Sequence, residues 1–101
     1  MSRLDALLAM VSDEEPDAFT AYAIALEYTQ RREFPNAFEW FERAIGIDPF
    51  YAAAYHQFGI ARNESGDPDG AITILRKGME VARQKGDFHA MDEMEAVLET
   101  L

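Results

Sequence analysis

The chain has 101 residues, 19 acids against 9 bases for a formal charge of −10, and no cysteine. That length admits one domain or a short solenoid but not two independent domains, and the charge repels the phosphate backbone that a DNA or RNA binder must neutralise. Without cysteine there is no disulfide framework, thiolate zinc site or cysteine nucleophile; a reducing, cytoplasmic setting is expected.

Residues Met1 to Val11 carry both Arg3 and Asp5, and the apolar stretch from Ala6 to Val11 is too short for a secretory core. No export signal is expected, nor a spanning segment, since charges interrupt every apolar run. Leu4, Leu7, Leu8 and Val11 recur at helical spacing and predict a short leading helix from about Ser2 to Val11. Pro16 and Asp17 open a second helix reaching to about Arg32, with Phe19, Tyr22 and Leu26 on one face. Pro35 and Asn36 begin a third, whose apolar side is Ala37, Phe38, Phe41, Ala44 and Ile45, and Gly46 to Pro49 close it. A fourth is expected from Pro49 to Ser65. Gly66 supplies the next turn, Asp67 an N-cap and Pro68 a first helical residue, so a fifth helix extends to about Lys85 and ends at Gly86. From Asp87 on, Phe88, Met91, Met94, Leu98 and Leu101 form the stripe of a last amphipathic helix, ringed by Asp92, Glu93, Glu95 and Glu99. No strand pattern occurs.

The chain registers on itself at one fixed offset: Ile24 falls on Phe58, Ala25 on Gly59, Ala37 on Ala71, Phe41 on Leu75 and Ala44 on Gly78. Small residues meet small ones and large meet large. Small residues are needed where antiparallel helices approach to about 8–10 Å, and the large ones fill the space between successive hairpins.

The spacing Ala21-x2-Ile24-Ala25-x2-Tyr28-x8-Ala37-x3-Phe41-x2-Ala44-x4-Pro49 resembles the tetratricopeptide repeat, lacking only its leading tryptophan. Tyr55-x2-Phe58-Gly59-x2-Arg62-x8-Ala71-x3-Leu75-x2-Gly78 resembles it again, with Arg62 in place of tyrosine and Arg83 in place of proline. The resemblance implies an all-α solenoid of antiparallel helix pairs over residues 1–101: a leading helix and linker at 1–15, repeats at 18–51 and 52–85, and a capping helix at 87–101.

It further implies a concave groove, lined by the first helix of each pair, that holds a protein or peptide partner. Its residues here would be Phe19, Tyr22, Leu26 and Thr29, then Ala53, His56, Ile60 and Asn63. Aromatic and aliphatic anchors among polar side chains suit such a groove, while the plain alternative is that Phe19, Tyr22 and Leu26 pack under the leading helix as core. Relatives that clamp acidic chaperone tails place cations on that face. The matching positions here, Tyr22, Leu26, Gln57, Ala90 and Met94, hold none. The acidity fits either a basic partner or a high-salt setting. Self-association through the apolar ends of a short solenoid is the rival reading.

Other chemistry finds little support. His89 with Asp92 and Glu93 has one-face ligand spacing but no second histidine or thiolate beside it, so no metal is expected. Ser65-x-Asp67-x-Asp69-Gly70 imitates the start of a calcium loop, but Pro68 interrupts it and Arg76 stands where the bidentate glutamate belongs. No nucleophile elbow or phosphate-binding glycine loop is present, so neither an enzyme nor a cofactor is expected.

Overall fold

The computed structural model describes residues 1–12 and 14–101. Six helices are found among them: α1 (Arg3–Val11), α2 (Ala18–Gln30), α3 (Phe34–Ile47), α4 (Ala52–Glu64), α5 (Pro68–Lys85) and α6 (Phe88–Glu99). The described residues contain no strand.

Local signals set most of the helix starts. Ser2 and Asp5 close a reciprocal capping box on α1, each side chain accepting the other's backbone N–H at 3.1 Å. Asp17 caps α2 by accepting the Thr20 N–H at 2.7 Å, and Asp67 and Asp87 do the same for α5 and α6 through Gly70 and Ala90. The fourth helix starts later than Pro49. A turn closed by Tyr51 N–H donating to the Asp48 carbonyl at 3.1 Å holds Pro49 outside it, and the Tyr55 hydroxyl donates to the Pro49 carbonyl at 2.8 Å.

The ends of α2 and α4 are built alike. Glu33 N–H reaches back to the Tyr28 carbonyl at 3.0 Å, and at the matching place in the second repeat Asp67 N–H reaches the Arg62 carbonyl at 3.0 Å. Such a closure needs one residue in the left-handed region. Gly66 takes it at φ 93° without penalty; Arg32 takes it at φ 58°, against the steric preference of a side chain. With no proline at Arg83, α5 runs to Lys85, 18 residues against 14 in α3, before Gly86 turns left-handed at φ 73°.

Packing follows the chain order: α2 lies on α3, α4 on α5, α3 on α4, and α6 on α5 and α4. Ala21, Ala25, Ala37 and Ala44 are wholly buried between the first two of these, with Ile24 and Phe41. Phe41 stacks on Phe58 at 5.2 Å and 12°, joining the α2–α3 pair to α4. In the second half, Tyr55, Leu75, Val81, Ala82 and Met94 form a separate cluster. The apolar stripe of α6 is rotated from the expected one: Met94 is buried and Ala90, Met91, Val97 and Leu98 partly so, while Phe88 and Leu101 at the ends face outward.

Candidate functional site

Two contacts show that α2 and α4 run side by side in the same direction. Near their starts, the Tyr22 ring lies 5.2 Å from that of Tyr51, the residue preceding α4. At their other ends, Arg32, just past α2, donates from Nη2 to the carbonyl of Glu64, the last residue of α4, at 3.4 Å. Between these contacts is an open hollow of about 490 Å³, lined by Tyr22, Leu26, Thr29, Gln30 and Arg32 from the α2 side and by Gln57, Ile60 and Glu64 from α4.

Helical spacing explains the lining. Tyr22, Leu26 and Thr29 with Gln30 follow one another by a turn, as do Gln57, Ile60 and Glu64. Tyr22 is anchored below by an edge contact with Phe41, 6.4 Å between centroids. Thr29 turns its hydroxyl back to the Ala25 carbonyl at 2.9 Å. Arg32 lays its guanidinium over the Phe34 ring at 5.0 Å. Burial raises the Tyr22 phenol above its ordinary pKa, and burial, then the charges of Tyr22, Asp17 and Asp48, raise that of Tyr51.

Four of the expected groove residues therefore meet: Tyr22, Leu26, Thr29 and Ile60. Phe19 is 65% exposed, Ala53 and Asn63 are also exposed, and His56 is half-buried; none of these lines the hollow. Tyr22 and Leu26 also pack partly against the first core cluster, so the groove and core readings share these side chains.

The chain matches no protein-family model. It is 28% identical over 98 residues to a TPR repeat-containing protein of Pseudomonas aeruginosa, covering 97% of this chain and 93% of that one. The crystal structure of a tetratricopeptide repeat domain protein from Salinibacter ruber superposes with a TM-score of 0.74 at 29% identity, over 84% of this chain and 94% of the other. In sequence and in fold the chain is similar to tetratricopeptide repeat proteins. The solution structure of a Bordetella parapertussis protein shares the fold, at TM-score 0.87 and 22% identity over 99% of this chain and 87% of that one.

The tetratricopeptide register carries Tyr22 to His56 and Thr29 to Asn63, yet the hollow takes Gln57 and Glu64 instead. Parallel neighbours present opposite flanks to the space between them, and one residue along a helix is a rotation of about 100°. Gln30, Arg32, Gln57 and Glu64 are thus outside the expected set. Gln57 and Glu64 are available from the sequence as one-turn neighbours of Ile60; Arg32, beyond the helix end, has no periodic signal. Elsewhere, His89 Nε2 pairs with Glu93 at 3.3 Å, and the calcium-like stretch is a helix start in which Asp67 accepts from Gly70 and Arg62.

Proposed function

We propose that this chain is a protein-binding module that holds an extended segment of a partner in the hollow between α2 and α4. The observation that carries the reading is the lining itself: Tyr22, Leu26 and Ile60 keep part of their apolar surface open, flanked by Thr29, Gln30 and Gln57, whose polar groups suit a peptide backbone. Solenoids of helix pairs use the concave face formed by successive first helices in this way. Under this reading, residues 18–51 and 52–85 are the two repeats, α1 and α6 are terminal caps, and the role is that of an adaptor or scaffold in the cytoplasm, not an enzyme. No helix among the described residues is long and apolar enough to cross a membrane.

Selection of displayed random decapeptides on the intact chain tests it. Selected peptides should lose binding to a Tyr22→Ala, Ile60→Ala double variant whose helical circular dichroism is unchanged. Equal binding by that variant would remove the hollow as the site.

A self-associating module is the second reading, favoured by the 48% exposure of Ile47 and of Phe50 and the 59% exposure of Phe88. Lys85 Nζ donates to the Phe50 carbonyl at 2.8 Å, which places the end of α5 beside the α3–α4 turn. Light scattering at tens of micromolar decides: a strict monomer ends this reading.

A further inference from the structure

The two ends of the hollow differ in charge. At the end where α2 and α4 start, Tyr22 and Tyr51 tilt against each other at 45°, with Asp17 capping α2 and Asp48 beginning the turn that leads to Tyr51. Each carboxylate gives one oxygen to a backbone N–H, Asp17 to Thr20 at 2.7 Å and Asp48 to Phe50 at 3.0 Å. Neither enters an ion pair among the described residues. The Asp48 carbonyl accepts the Tyr51 N–H at 3.1 Å, and, after burial and the charge of Tyr22, the charges of Asp17 and Asp48 both help to raise the Tyr51 phenol above its ordinary pKa. At the opposite end, Arg32 is the one cation of the lining, and the Glu64 carboxylate shares that lining with it. The far end is balanced; at the tyrosine end Asp17 and Asp48 outnumber the one cation held there among the described residues, Lys85, whose Nζ donates to the Phe50 carbonyl at 2.8 Å, and the chain as a whole carries −10.

We propose that the hollow selects a basic peptide: an extended segment with an apolar side chain between Leu26 and Ile60 and a Lys or Arg side chain on the tyrosine pair between Asp17 and Asp48. This rests on the reading of the hollow as a binding groove. The faces of Tyr22 and Tyr51 attract a cation through their ring quadrupoles, and two carboxylates beside them accept its N–H groups. The charge of the whole chain steers a basic partner in and an acidic one away. Geometry sets the spacing of the motif. Tyr22 and Leu26 are one helical turn apart, about 6 Å of rise, and alternate side chains of an extended peptide are about 6.6 Å apart. The apolar and basic residues are therefore two positions apart in the bound segment.

The same decapeptide selection tests the proposal, with an Asp17→Asn, Asp48→Asn double variant of the intact chain added. Asparagine keeps both backbone caps and removes both charges. The expected result is enrichment of peptides with Lys or Arg two positions from an aliphatic or aromatic residue. Their binding to the asparagine variant should fall about three- to tenfold at low salt, and its salt dependence should weaken, the part due to the charge of the whole chain remaining. Enrichment of neutral or acidic peptides, or unweakened binding to the asparagine variant, overturns the charge preference. If those peptides still fail on the Tyr22→Ala, Ile60→Ala variant, the groove itself stands. If peptides bind that variant equally well, or none is enriched at all, both readings fall.

Discussion

The Arg62 guanidinium lies 4.2 Å from the centre of the Phe38 ring, at the position where the first helix pair has Tyr28. It also lies 5.5 Å from the Phe58 ring, and its Nη1 pairs with Asp67 at 3.2 Å. A flat cation thus takes the space that a flat ring fills in the tetratricopeptide pattern, and it ties α4 to α3 and to the cap of α5. Arg62→Ala should lower stability by about 2 kcal/mol, through lost ring contacts and lost packing of the alkyl stem. Arg62→Lys should recover only part of that, because a compact ammonium cannot lie flat on Phe38. Urea unfolding of the three proteins measures it, and a lysine variant as stable as the parent would show that stacking contributes nothing.

Glycine-to-alanine substitution should have opposite signs at two helical positions. An added carbon at Gly78 would stand 2.5 Å from Tyr55 Cβ and 2.6 Å from Met94 Sδ, whereas at Gly46 nothing lies within 4 Å. Alanine gains about 1 kcal/mol of helix propensity at either place, and overpacking costs about 1–3 kcal/mol only at the first. Gly46→Ala should raise the melting temperature and Gly78→Ala lower it. Ala37, wholly buried between α2 and α3, is expected to behave like Gly78, with Ala37→Leu costing about 1–3 kcal/mol. A melting temperature unchanged by Ala37→Leu would mean that the two helices are not pressed together there.

Glu80 offers a check in acid. Hydrogen bonds from the Arg83 side chain, and then from Gln84, hold its carboxyl down at about 2, against an ordinary 4.5. Because the folded value is the lower one, the contribution of this contact is complete above about 4.5 and is lost as pH falls towards 2. Carboxyl-detected NMR titration should give a midpoint near 2 that moves up towards 4.5 in an Arg83→Met variant. An identical midpoint in both proteins would show that the pair does not form in solution.

The fold was legible because its signals are local and periodic. Caps at Ser2, Asp17, Asp67 and Asp87, breakers at Gly66 and Gly86, and small residues at Ala25, Ala37, Ala44, Gly59 and Gly78 all fall where helical spacing or the repeat offset finds them. The site was half legible. Tyr22, Leu26, Thr29 and Ile60 are periodic, but the flank that α4 turns toward α2 depends on how the pairs are set beside each other, which no single-helix pattern contains. The role of Arg62 depends on Phe38, distant in the chain and on another helix, and Arg32 enters the hollow only because the chain turns left-handed there. Contacts between elements of different registers have no signature in one sequence.

The last helix decides whether the chain ends in a cap or in a loose segment. Met94 is wholly buried, its sulfur close to Gly78, and Ala90, Met91, Val97 and Leu98 pack on the same cluster with Tyr55, Val81 and Ala82. Five acids from Asp87 to Glu99 lie on α6 and its cap, four of them fully on the exposed side. That combination, apolar beneath and charged above, is what a terminal unit of a solenoid requires to stay soluble. A chain ending at Gly86 should lose cooperative unfolding or aggregate, because Tyr55 and Val81 would then face water. Truncation alone could mislead if the shortened chain never folds, so the milder Met94→Ala is the companion test, with an expected cost of about 2–5 kcal/mol for a buried side chain of this size. Amide exchange on the intact chain gives an independent reading: Met91 to Leu98 should exchange at rates set by global unfolding. Fast exchange there, together with a small effect of Met94→Ala, would make α6 a mobile amphipathic helix free to enter another groove.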